Sequence, residues 1–260
     1  MTERVKELSE HLVTAVQNRK GVQPLTEVYP DLSIDEAYQV QLSTIKRKTD
    51  SGQRIVGKKI GLTSKAMQDL LGVGEPDYGH LLDDMVIDNG DEIPADKVLQ
   101  PKVEAEIAFV LRKDLHGPNV TADDVYEATA YVVPALEIVD SRVADWKIKL
   151  PDTIADNASS GLYVLGENKV PIRAVDLPAI KMDLYKNEEP VNSGMGAAAL
   201  ENPANCVAWL ANKLSDYGVS LKAGEVILSG ALSAAVDAMP GDTFRATFDA
   251  LGEVTVRFNG

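Results

Sequence analysis

In the segment PKVEAEIAFVL, Glu104 and Glu106 are separated by one alanine. Side chains alternate along a β-strand, so both carboxylates would project from one face. Val103, Ala105, Ile107 and Phe109 then form an apolar opposite face. The plainer alternative is a half-exposed strand with two solvated acids, and the pattern alone leaves the two level. A second apolar run, YVVPALEIVDSR, carries a lone carboxylate, Glu137. An ionised carboxylate in apolar surroundings is strongly disfavoured, so Glu137 requires a cation, a hydrogen-bond network or a raised pKa. Three hard oxygen ligands from two strands suit Mg2+ or Mn2+, leaving octahedral positions for water and substrate. His11, His80 and His116 are scattered without ligand spacing, which argues against zinc.

The segment IVGKKIGLTS supplies cations. On a strand Lys58 and Lys59 point to opposite faces, so one is expected to be solvated while the other enters the interior. Gly57 and Gly61 bracket them and let the backbone approach a ligand closely. A surface pair before a turn is the bland alternative. Asp77 follows a proline in EPDYGHLLDDM and reads as a loop acid, with Asp83 and Asp84 as ordinary turn acids. In IADNASSG, the residues Asp156, Asn157, Ser159 and Ser160 read as a turn, serving as caps or as donors to a carboxylate. There is no Gly-rich phosphate loop, and LSGALS lacks nucleotide-fingerprint spacing.

The elements that must position these groups follow from periodicity. Val5, Leu8, Leu12 and Val16 recur at helical spacing, and Ser33 with Glu36 forms a capping-box pattern opening a second helix that Gly52 ends. A loop carrying Pro24 and Pro30 lies between them. From residue 54 the texture changes to short β-rich runs: 54–61, 103–112, 131–139, 161–165, 181–186, 225–229, 243–248 and 252–258. Helices are expected at 65–71, 121–128 and 203–217, with Cys206 of the last a buried small residue. The final runs read as successive β-hairpins closing a roll or barrel. Residues 1–52 are expected to form a helical layer on a β-rich domain, 53–260, with no flexible linker between them.

Composition narrows the function. The chain has 260 residues, 45% of them hydrophobic and 25% charged, which is typical of a folded globular protein. A formal charge of −14 argues against general nucleic-acid binding, which depends on Lys and Arg neutralising phosphates. One cysteine permits no intrachain disulfide. The N-terminal residues are charged and helical in pattern rather than an apolar leader. No apolar run approaches the ~20 residues that span a bilayer. A cytoplasmic protein with no membrane contact is expected.

Taken together, GKKIGLTSKAMQDLLGV, EPDYG, QPKVEAEIAFVL, PALEIVDSRVADWKIKLPDTIADNASSG and KAGEVILSGAL resemble the hydratase/decarboxylase branch of the fumarylacetoacetate hydrolase superfamily. The similarity runs nearly end to end and in the same order. It implies an α+β, β-rich fold: a mixed β-roll like the C-terminal domain of that superfamily, with N-terminal helices. By position, it places metal carboxylates at Glu104, Glu106 and Glu137, a catalytic lysine at Lys59 and an acid/base aspartate at Asp77. Lys58 is then the solvated partner. The turn Leu62, Thr63, Ser64 and the ADNAS segment would line the substrate end, with Thr63 and Ser159 as contacts.

The activity implied is Mg2+- or Mn2+-dependent addition of water to 2-hydroxypenta-2,4-dienoate in aromatic meta-cleavage catabolism. The far carbon is protonated first, and the resulting unsaturated ketone accepts water at C4. Lys59, desolvated by its strand near a metal, is expected to have a lowered pKa. Rival activities are 2-oxo-3-hexenedioate (4-oxalocrotonate) decarboxylation and hydration of a seven-carbon dioate. DSRVADWKIKLPDT looks more like the hydratases, and the complete residue set argues against a non-catalytic scaffold. The resemblance also implies a homo-oligomer, pentamer or decamer, and a possible complex with a decarboxylase or aldolase of the same pathway.

Overall fold

The computed structural model describes residues 2–64, 68–69 and 72–260. Helix α1 (Glu3–Asn18) starts at Thr2, whose hydroxyl accepts the Val5 N–H. Val5, Leu8 and Leu12 are buried, but Val16 is 58% exposed and lies beyond the packed stripe. Within the expected loop, Leu25–Val28 makes one helical turn, α2. Helix α3 (Ile34–Asp50) has the capping box its sequence signals: Ser33 accepts from the Glu36 N–H and Glu36 accepts from the Ser33 N–H. Further helices are α4 (Ala122–Ala128), α5 (Leu150–Ala155) and α6 (Pro203–Ser215). Of the helix expected over 65–71, only Gln68 and Asp69 are described, and both are helical; the remainder lies outside the described residues.

The strands are β1 (Ile55–Gly61), β2 (Asp77–Leu82), β3 (Val86–Ile87), β4 (Glu92–Ile93), β5 (Lys102–Leu111), β6 (Thr129–Val139) and β7 (Ser160–Leu165). They continue with β8 (Lys181–Lys186), β9 (Glu189–Met195), β10 (Val226–Ala231), β11 (Val236–Asp237), β12 (Thr243–Phe248) and β13 (Gly252–Phe258). One sheet runs β2-β1-β10-β5-β6-β7-β3, with β11 beside β5; the other runs β4-β13-β12-β8-β9. The chain end therefore differs from a series of hairpins. β10 enters the first sheet between β1 and β5, and only β12 and β13 form the closing hairpin.

Five strands carry no sequence signal: β3, β4 and β11 are two residues each, and β2 and β9 are hidden for opposite reasons. Every residue of β2, DYGHLL, is buried, so no alternation marks it, and Asp77 opens this strand rather than lying in a loop. β9, EPVNSGM, is a mostly exposed edge strand without apolar period.

The first sheet is covered on both faces. Val103, Ala105, Ile107 and Phe109 point into the main core, which joins α1, α3, α6 and the second sheet. Ala108, Val133, Ala135, Tyr163 and Leu228 form a smaller apolar cluster on the other face. By strand alternation, Glu104, Glu106 and Glu137 share that second face. Among the described residues, no helix is long and apolar enough to cross a membrane.

Candidate functional site

β5 and β6 pair antiparallel with Glu104 directly opposite Glu137 and Glu106 opposite Ala135. This register gathers the three glutamates: one carboxylate oxygen from each lies within 4.8 Å of the others. Glu106 and Glu137 are fully buried, and Glu104 is half-buried. Two solvated surface acids are thus excluded for the EAE pair.

A β-bulge aims a donor at each buried glutamate. Between the pairs Leu228–Ala108 and Ala231–Glu106, strand β10 spends two residues, Ser229 and Gly230, against Ile107 alone. That bulge turns the Gly230 N–H onto Glu106 Oε2 at 2.8 Å. Gly230 has φ +101° and is pressed against Thr63, where a Cβ would collide. Between Ile138–Leu162 and Val139–Ser160, Gly161 is the extra residue of β7. There the Ser160 hydroxyl donates to Glu137 Oε1 at 3.1 Å. Each anchored glutamate retains a second oxygen, Glu106 Oε1 and Glu137 Oε2, that is buried and has no hydrogen-bond partner among the described residues.

Unpartnered buried carboxylate oxygens are costly, and a hard dication is the partner that suits three of these groups at once. The donor set therefore fits a divalent metal, with Glu104, Glu106 and Glu137 as the groups that would hold it. Burial pushes the Glu104 pKa up to about 7, with Glu137's charge adding to it. Burial and the charges of Glu137 and Glu104 raise Glu106 well above the carboxylate range. Burial also raises Glu137, against the opposing pull of Lys59 and Ser160.

Lys59 projects from β1 onto the same face, 3.3 Å from Glu137 Oε1 and 2.9 Å from the Ala158 carbonyl, to which it donates. Burial disfavours its ammonium, but Glu137, Asp77, Glu104 and Glu106 outweigh that and raise its pKa. The lowering expected from desolvation is therefore reversed among the chain's own groups. Asp77 pairs in register with Gly61, is buried, and has an Oδ1 without a hydrogen-bond partner among the described residues. Gly61 leaves the space that Asp77 Oδ1 and Lys59 Nζ share.

Lys58 corrects the sequence reading. It does point away from Lys59, but that face is the main core, so Lys58 is only 3% exposed. Its ammonium donates to both oxygens of Glu225, at 2.6 and 2.7 Å. Gly57 also has another role than ligand approach: a Cβ there would collide with the Val226 carbonyl of β10.

The remaining expected residues are dispersed around this cluster. Leu62 has φ +54° just after β1, and its carbonyl accepts from the Gln68 side chain. Thr63 is buried against Gly230, and Ser64 is half-buried. The Ser159 hydroxyl donates to Asp156, while its neighbour Ser160 is the one touching Glu137. Sequence reasoning missed Gly230, the Ala158 carbonyl and Glu225. Backbone groups have no residue-type signature, and Glu225, at the start of the run expected over 225–229, carries no local sign of a lysine partner 167 residues away.

Comparison with known proteins places this geometry in a family. The fumarylacetoacetate (FAA) hydrolase C-terminal model matches residues 59–259. A 2-keto-4-pentenoate hydratase of Paraburkholderia xenovorans (strain LB400) is 48% identical over 97% of this chain and 94% of its own length. A 2-oxo-hept-4-ene-1,7-dioate hydratase of Escherichia coli is 42% identical, covering 96% of each chain. A solved 4-oxalocrotonate decarboxylase from Pseudomonas putida G7, complexed with magnesium and adipate, is 38% identical. It superposes with a TM-score of 0.96 over 99% of this chain and 98% of that one. The α+β fold expected from the sequence is the one these relatives share. The chain belongs to the fumarylacetoacetate hydrolase C-terminal family.

Proposed function

We propose that this protein is a metal-dependent hydro-lyase that adds water to 2-hydroxypenta-2,4-dienoate, giving 4-hydroxy-2-oxopentanoate. The carrying observation is the Glu104–Glu106–Glu137 cluster with two unpartnered buried oxygens beside Lys59, in a chain 48% identical to a 2-keto-4-pentenoate hydratase. Mg2+ or Mn2+ is the cation this reading assigns, and when bound it supplies Lewis-acid stabilisation of negative charge developing on the substrate's 2-oxygen. Gly230 and Ser160 each hold one oxygen of Glu106 and Glu137, which leaves the other oxygen of each available as a ligand.

Lys59 and Asp77 carry the protons. The enol hydroxyl loses one and the terminal carbon gains one; water then gives its hydroxide to C4 and its proton to C3. The net change is the addition of one water. Lys59 holds a proton between Glu137 and the Ala158 carbonyl. Asp77 offers an oxygen committed to no other described group. Leu62, Thr63, Ser64 and Ser159 complete the reading as the substrate end.

The test is incubation of 2-hydroxypenta-2,4-dienoate with purified protein and Mg2+ or Mn2+. Loss of dienoate absorbance faster than spontaneous ketonisation, with product of the hydrated mass, is expected; an unchanged rate overturns the reading. The decarboxylase likeness favours one rival, so 2-oxo-3-hexenedioate belongs in the same assay. Faster CO2 release than hydration would reassign the activity. The seven-carbon dioate tests the second hydratase relative.

The proposal includes a cytoplasmic homo-oligomer, pentamer or decamer, in which residues 1–52 layer onto the catalytic part, 53–260. A monomeric mass by light scattering overturns the oligomer.

A further inference from the structure

Asn157, Ala158 and Ser159 all adopt left-handed backbone conformations, with φ of +59°, +50° and +49°. Such conformations are disfavoured for residues with a Cβ, and three in succession persist only where surrounding structure imposes them. The turn joins α5 to β7, and it is held from both sides. Asn157 grips the backbone of His80 twice: its Oδ1 accepts from the His80 N–H at 2.7 Å and its Nδ2 donates to the His80 carbonyl at 2.9 Å. The side-chain amide thereby does what a paired strand would do along β2. Contact is close enough that a Cβ on Gly79 would lie 2.5 Å from the Asn157 carbonyl oxygen.

His80 is itself fixed. Gln41 of α3 donates through Nε2 to the Tyr78 and Ile154 carbonyls, leaving Oε1 to accept from His80 Nδ1 at 2.9 Å. On the other side of the turn, Asp156 takes the Ser159 hydroxyl and is ion-paired with Arg142.

What the turn presents is the Ala158 carbonyl, 2.9 Å from Lys59 Nζ. The β2 residue opposite Lys59 is Gly79, adjacent to the His80 that Asn157 holds. We propose that Asn157 is a positioning residue that acts through the Ala158 carbonyl to set the direction of the Lys59 ammonium. The carbonyl is a neutral acceptor, so it aims one N–H while leaving the lysine's charge to the carboxylates. Without this contact Glu137 is the nearest acceptor, and the ammonium swings toward it. The inference rests on the reading of Lys59 as a proton-transfer residue.

The test uses Asn157→Gly, which keeps left-handed backbone accessible while removing the clamp, and Asn157→Asp, which keeps the acceptor and loses the donor. In both, kcat for 2-hydroxypenta-2,4-dienoate should fall by about tenfold or more, because misplacing a reacting group by an ångström is that costly. KM and the Mn2+ dissociation constant, measured by calorimetry, should stay within about threefold, since neither metal ligands nor their anchors are touched. A smaller fall in kcat, or a fall matched by lost Mn2+ affinity, overturns the proposal. Should Asn157→Gly not fold, Asn157→Asp decides by the same criteria. If the wild-type protein does not hydrate this substrate, the functional reading fails separately, and a crystal structure of the variant decides this one. Lys59 Nζ beyond hydrogen-bond distance of the Ala158 oxygen supports it; the contact retained overturns it.

Discussion

Asp77 Oδ1 occupies the space that a side chain on Gly61 would fill, and Lys59 Nζ lies 3.1 Å from the same point. The two residues are register partners across β1 and β2, so the absence of one side chain admits the other's carboxylate beside the lysine. Gly61→Ala should therefore displace Asp77 or Lys59 without changing the fold. We expect kcat to fall by about tenfold or more. Overpacking should cost about 1–3 kcal/mol in urea unfolding. Wild-type kinetics in this variant would remove Asp77 from the mechanism.

Glu106→Gln separates metal binding from folding. The amide keeps the shape and the Gly230 contact but removes a charge that burial and two neighbouring glutamates disfavour. Metal-free thermal stability should be unchanged or higher, while the stabilisation conferred by added Mn2+ is lost. Activity should fall in parallel. An undiminished Mn2+-dependent rise in Tm would mean that Glu106 is not a ligand.

Adjacent lysines should fail in different ways. A solvated Lys58 would be replaceable at under about 0.5 kcal/mol. Buried against Glu225, its truncation strands a carboxylate inside the protein, and Lys58→Ala should cost about 3–5 kcal/mol. Lys58→Met with Glu225→Leu should recover most of that, as read by chemical denaturation. Lys59→Ala should instead lower kcat by on the order of 10²-fold, the scale of a lost acid–base group. Equal kinetic losses at both positions would contradict the opposite-face arrangement.

Stability and metal affinity should respond to pH in opposite directions. Burial and Glu137 raise the Glu104 pKa from its ordinary 4.5 to about 7. Between those values the folded state holds a proton that the unfolded chain has released. Metal-free stability should thus fall as pH rises through this window, by up to about 1.4 kcal/mol per unit for each such proton. Metal binding needs the ionised carboxylate, so Mn2+ affinity should rise from pH 6 to pH 8 and binding should release protons. Calorimetry in buffers of different ionisation enthalpy counts them; zero release would show that the glutamates are already ionised.

Local patterns in the sequence determined much of this protein. Alternation placed Glu104 and Glu106 on one face with Val103, Ala105, Ile107 and Phe109 on the other, and the Ser33–Glu36 spacing marked the start of α3. The lone acid in an apolar run singled out Glu137. These readings succeed because each depends on neighbours a few residues apart. What only the tertiary structure decided involves partners far apart in the chain. Lys58 was expected in solvent because alternation says which face a side chain takes, not whether that face is covered; Glu225, brought in by β10, made it buried. β2 carried no signal because both its faces are enclosed, and Asp77 was misread with it. The direction of the Lys59 shift depended on four carboxylates converging from β2, β5 and β6. Two bulges, at Gly230 and Gly161, aim the donors that hold Glu106 and Glu137, and a bulge exists only as a mismatch between two paired strands.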